Sequence, residues 1–176
     1  MNNMPSFTQL IESIGSVADF PMTLSRHDKG KKLIYVNQPF CSLTQYSAEF
    51  VLNRNCRFLQ GQDTAPKDIE SIRSAFKANI SIFQDIVNYK KNNEKFFNRL
   101  VLLSFDYGFE KFILGLQHEV EQPSYKKHHY GELDDKFLSP LSSLLIHAEN
   151  LSEIDDQVKE KMNQSLQQIS DHILKL

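Results

Sequence analysis

Hydrophobic and polar positions follow three different rhythms along this chain. From Phe7 to Val17, the apolar residues Phe7, Leu10, Ile11, Ile14 and Val17 recur at three- and four-residue steps. That spacing predicts a short amphipathic helix, which Ser6 can cap, and its apolar stripe needs a surface to dock on. The middle of the chain reads differently. Phe20–Ser25 and Leu33–Val36 have the character of strands, joined by the polar turn Arg26–Lys32. Short helical turns are expected between 38 and 60. A longer helix over about 66–78 opens with Pro66 and sets Ile69, Ile72 and Phe76 on one face. Three further strand-like runs fall near 81–90, 96–105 and 109–120, with Asn92-Asn93 and Asp106-Tyr107-Gly108 suited to the turns between them. The pattern predicts an α+β fold, a five-stranded antiparallel sheet with helices on one face.

The third rhythm is helical again. Residues 121–131 are polar and read as a linker. Beyond them Leu133, Phe137, Leu141, Leu144, Leu145 and Ala148 form one stripe, and Ile154, Val158, Met162, Leu166, Ile169, Ile173 and Leu176 form a second. Ser152 and Asp155 resemble a capping box for the second helix. Two stripes and a short turn make a helical hairpin, too thin to bury both faces alone, so a homodimeric four-helix bundle is expected. The expected division is 1–19 as a flanking helix, 20–120 as the sheet domain, 121–131 as linker and 132–176 as hairpin.

Composition narrows the class. With 40% hydrophobic and 24% charged residues, 176 residues suit one globular domain plus an extra element. The longest apolar runs, such as Leu100–Leu103, are too short to span a bilayer, so no membrane partner is expected. The N-terminus has no signal-peptide pattern and there are only two cysteines, Cys41 and Cys56, which points to the cytoplasm. Charge is uneven: residues 131–176 carry four basic and nine acidic side chains, against sixteen and thirteen before them. Such an acidic tail disfavours nucleic acid as a partner. The lysine clusters, Lys29/Lys31/Lys32 among them, read mainly as solvated loop charge. His128-His129 lacks Cys or carboxylate partners at ligand spacing, so no metal is expected.

The chemistry concentrates in Asn55-Cys56-Arg57-Phe58-Leu59-Gln60-Gly61. This stretch resembles the reactive-cysteine signature of LOV domains, flavin-binding blue-light sensors of the PAS superfamily. Downstream, Ile72-Arg73, Asn88-Tyr89, Asn98 and Gly115-Leu116-Gln117 stand in that family's order and approximate spacing, so the resemblance spans about 20–120. It implies FMN as cofactor. Arg57 and Arg73 would grip its phosphate, a job suited to guanidinium forks. Asn88 and Asn98 would meet the mixed donor and acceptor edge of the ring, and Asn55 and Gln60 would complete the ribityl and ring contacts. Phe40, Leu59, Leu100, Leu102, Phe76 and Leu114 would wall the ring from water.

By the same resemblance, Cys56 would form a reversible adduct with flavin carbon C4a after blue light, while N5 gains a proton. Gln117 would then rotate its amide and pass the change to the flanking helices, altering a dimer or partner contact. Two positions depart from the family: Asn53 where glycine is usual, and Phe97 where tryptophan is common. Asparagine tolerates a left-handed backbone, so the turn can survive. Cys41, beside Phe40, reads as core packing rather than a reactive group.

The tail resembles, more weakly, the dimerisation and phosphotransfer hairpin of sensor histidine kinases, through Phe137-Leu138-Ser139-Pro140-Leu141. Asp135 stands about where the phosphate-accepting histidine would, and no ATP-binding domain follows, so kinase activity is not expected. Dimerisation, or docking of a kinase or response regulator, is. The competing reading is a flavin-based redox sensor or a phosphorelay-docking scaffold without photochemistry.

Overall fold

The computed structural model describes residues 7–107 and 109–122, together with Glu160 and Gln164. The Ser6 cap and most of the expected linker and hairpin, including the apolar stripes of 132–176, lie outside the described residues. Between residues 7 and 122 the described elements follow in the order α1 (Phe7–Val17), β1 (Met22–Arg26), β2 (Leu33–Val36), α2 (Gln38–Thr44), α3 (Ala48–Val51), a 3-10 helix (Cys56–Leu59), α4 (Pro66–Ala78), β3 (Ile82–Tyr89), β4 (Lys95–Tyr107) and β5 (Glu110–Val120). Among the described residues, no helix is long and apolar enough to cross a membrane.

The strands form one antiparallel sheet in the order β2-β1-β5-β4-β3, so the last strand lies at its centre beside the first. Short side chains punctuate the helical stretch. Asn37 caps α2, Ser47 caps α3 and Asn55 caps the 3-10 helix, each through a side-chain oxygen that satisfies an otherwise orphaned amide. Asn53 takes φ 62°, a left-handed conformation that asparagine tolerates better than most residues. Pro66 opens α4, and Asn79 ends it at φ 54°.

Strand alternation divides the core in two. Met22, Leu24, Val101, Leu103, Leu114 and Leu116 point to one face, all nearly inaccessible. Tyr35, paired with Leu24, shares that face and packs against Gly15 of α1, where an added Cβ would lie 2.2 Å from the Tyr35 hydroxyl. The N-terminal helix therefore covers the β1–β2 end of the face turned away from the other helices. Asn37 fastens this corner: its amide nitrogen donates to the carbonyls of Phe20 (2.7 Å) and Gly15 (3.4 Å), and its oxygen accepts from the amides of Met22 (2.8 Å) and Phe40 (3.2 Å).

Candidate functional site

The second face of the sheet, with the 3-10 helix and α4 above it, encloses a cavity of about 380 Å³. That volume lies within the usual range of small-molecule sites. Thr23 and Ser25 of β1, Ile86 and Asn88 of β3, Asn98, Leu100 and Leu102 of β4, and Ile113 and Gln117 of β5 form its floor. Gly115 keeps β1 and β5 close, because a Cβ there would sit 2.5 Å from Thr23 Oγ1.

A row of amides crosses this floor. Asn98 Nδ2 donates to Asn88 Oδ1 and to Gln117 Oε1, both at 2.9 Å, and Asn88 Nδ2 donates to the Val87 carbonyl at 3.0 Å. The three residues are at most 5% exposed. Asn98 Oδ1 is buried without a hydrogen-bond partner. A buried acceptor left unmatched is costly, and an N–H on the edge of a planar ring is the partner that would satisfy it. This lone acceptor, in a row of amides, fits the polar edge of a flavin, which carries such an N–H.

Cys56 and Leu59 line the cavity from the 3-10 helix, Gln60 from just past its end, and Ile69, Ile72 and Phe76 from α4. Burial pushes the Cys56 thiol up to about 12, so at neutral pH the sulfur keeps its proton. Cys41 also has its thiol raised by burial, and it packs on the apolar cluster of Leu33, Val36, Phe40, Val51 and Leu59. Two expected wall residues are not in the lining. Phe40, fully inaccessible, belongs to that apolar cluster, which touches the cavity through Leu33 and Leu59 instead. Leu114 faces away, because residues of one strand alternate and Gln117 looks inward; Ile113 takes its place.

At the mouth, Arg57 and Arg73 are joined by Lys29, Lys31 and Lys77. Glu70 shares itself between Arg73 (3.7 Å) and Lys77 (4.0 Å). The lysines at 29 and 31, read from sequence as solvated loop charge, line the cavity. His27 is the other residue sequence reading missed here: its ring meets Phe76 at 5.9 Å, and burial followed by Lys31 lowers its pKa. Asn55 lines the cavity too, but its amide is engaged within the protein. Its nitrogen donates to the carbonyls of Gly30 (2.8 Å) and Lys31 (3.3 Å), and its oxygen accepts from Arg57 N (3.1 Å). Period-two counting from Gln117 and Asn88 would have found Ile113 and Ile86; nothing in the sequence fixes the loop of 27–31 against residue 55.

Comparison with known proteins agrees with this architecture. A PAS domain family model matches residues 19–122. A blue-light-activated histidine kinase of Brucella anthropi is 50% identical over 68 residues, 39% of this chain and 14% of that protein. Its counterpart in Brucella canis is 44% identical over 81 residues, 46% of this chain and 17% of that kinase. The matched stretches are thus a small part of these relatives. The LOV domain of the Erythrobacter litoralis EL346 blue-light activated histidine kinase superposes with a TM-score of 0.56 at 32% identity, covering 60% of this chain and 99% of that domain. The Rhodobacter sphaeroides LOV protein superposes with a TM-score of 0.70 over 91% of this chain and 90% of that one, at 21% identity, a likeness of fold. The sheet order, the helical roof and the cavity between them are those of a PAS domain. Within that family the chain belongs to the LOV domains.

Proposed function

We propose that this chain is a blue-light sensor that holds FMN in the cavity and signals through Cys56 and Gln117. The observation that carries this reading is the meeting, around one cavity, of the Cys56 thiol and a buried amide row with a lone acceptor. A bound flavin supplies a ring that absorbs blue light and becomes basic at N5 when excited. Cys56 lines the cavity and would be the residue that donates a thiol proton to the ring and bonds to it through Sγ, reversibly, the proton returning when that bond breaks in darkness. A protonated resting thiol suits a group that must donate that proton.

The amide row gives the event a mechanical consequence. Gln117 Oε1 accepts from Asn98 Nδ2 in the present arrangement. Were the bound ring to gain an N–H facing Gln117, the amide would turn its oxygen toward that donor and its nitrogen onto Asn98 Nδ2, donor against donor. A mismatch of this kind costs about 1–3 kcal/mol when buried. The strain reaches beyond the floor, because Gln117 N donates to the Pro21 carbonyl at 3.0 Å, in the segment joining α1 to β1. The expected output is a change in how the flanking helices associate, either within a homodimer or with a kinase or response regulator.

The test is an absorption spectrum of protein purified under dim light, before and after a blue pulse. The flavin bands should bleach and recover in the dark, and Cys56→Ala should bind flavin yet lose the bleach completely. A bound flavin whose spectrum ignores light, but which thiols reduce, would overturn the proposal in favour of a redox sensor. Light scattering on lit and dark samples checks the output, and an association state indifferent to light would exclude the dimer route.

A further inference from the structure

We infer that Lys31 is a third ligand for the flavin phosphate, beside Arg57 and Arg73, and that it gives the cavity a preference for FMN over unphosphorylated riboflavin. The inference rests on the flavin reading above and adds a residue from a loop outside the motif that suggested it. The loop is built to deliver this lysine. Asp28 Oδ1 accepts from Gly30 N (2.8 Å) and Lys31 N (2.7 Å), which folds the turn and holds Lys31 at φ 46°. Asn55 then binds the Gly30 and Lys31 carbonyls with its nitrogen and caps Arg57 N with its oxygen, so one carboxamide sets the two cationic residues side by side.

The side chain runs across the mouth. Lys31 Nζ lies 5.5 Å from the centre of the Phe76 ring, and Phe76 lines the cavity one helical turn beyond Arg73, on the same face of α4. Lys31 is partly buried, whereas Lys29 is exposed. Among the described residues, Lys31 and Arg57 have no carboxylate within ion-pair distance, while Arg73 and Lys77 share Glu70. Lys31 Nζ instead donates to the Asp28 carbonyl at 3.2 Å, a neutral acceptor that a phosphate can replace. A phosphate monoester carries close to two negative charges at neutral pH and offers three acceptor oxygens. Arg57 and Arg73 reach the mouth from the 3-10 helix and α4, and Lys31, with no carboxylate of its own, adds a third cation from the loop side.

The experiment titrates the full chain, stripped of flavin and kept dark, with FMN and with riboflavin, following the quenching of flavin fluorescence. Lys31→Gln should weaken FMN about tenfold, the scale of one charge-assisted contact, and leave riboflavin affinity within about twofold. Lys31→Arg should keep most of the FMN affinity, and FMN binding by Lys31→Gln should depend less steeply on salt than wild type. Equal loss for both flavins, or no loss for either, would overturn the assignment. So would an equal effect from Lys29→Gln, which would mark a diffuse field rather than a ligand. A wild-type chain that binds neither flavin would fail differently, by removing the flavin reading itself.

Discussion

On the floor of the cavity, Asn88, Asn98 and Gln117 lie on three adjacent strands, buried, each amide bonded to the next at 2.9 Å. At the mouth, Lys29, Arg57, Arg73 and Lys77 are exposed and only Lys31 is partly buried, on a loop, a 3-10 helix and α4. The floor is held by backbone register, so each amide has one place to be and its partners are set by the neighbouring strands. The mouth is bathed in solvent, where an ion pair contributes little to folding and water screens any loss. Damage to the floor should therefore appear first in stability, and damage to the mouth first in ligand affinity.

The hardest blow to the floor is Asn98→Leu. It leaves Asn88 Oδ1 and Gln117 Oε1 without their donor, at about 1–3 kcal/mol for each buried acceptor. Urea unfolding of the flavin-free protein should show the loss, and an unchanged midpoint would mean that the row is not a tight network. Next comes Gly115→Ala, which forces a Cβ to 2.5 Å from Thr23 Oγ1 and 3.4 Å from a Leu102 methyl. Overpacking of this kind costs about 1–3 kcal/mol, and Thr23→Ala in the same chain should return part of it, since the two sites touch. Simple additivity would argue against that contact.

At the mouth, Asp28→Ala should be the mildest. It removes two hydrogen bonds from an exposed turn, so the melting temperature should hold while proteolysis near residues 28–32 quickens. The Lys31 amide holds the Asp28 carboxyl below its ordinary 3.8. Its contribution is thus complete above that value and lost only as the pH falls through a lower one. Acid should mimic the substitution only there, and loosening of the loop at neutral pH would contradict the assignment.

The same contrast explains what could be read in advance. β2 and α4 fall where the hydrophobic rhythm sets them, Leu33–Val36 and Pro66–Ala78, because a periodic stripe and a proline start are local signals. Asn88, Asn98 and Gln117 were legible through motif order, and alternation explains why they share a face. Leu114 was misplaced by reading its apolarity without its parity, and Phe40 because a helix residue can be inaccessible without touching a cavity. Lys31 was not legible at all. Its place depends on Asn55 reaching back across twenty-four residues to its carbonyl, a pairing that no local pattern encodes.

The corner fastened by Asn37 has a further bearing on the N-terminal helix. One carboxamide lashes together stretches that arrive from residues 15, 20, 22 and 40, while Tyr35 fills the notch left by Gly15. To peel α1 away is to uncover an aromatic ring and loosen a knot that also positions β1 and α2. The helix is thereby enrolled in the cooperative unit of the domain, and its departure is felt at the root of the strand that flanks Gln117.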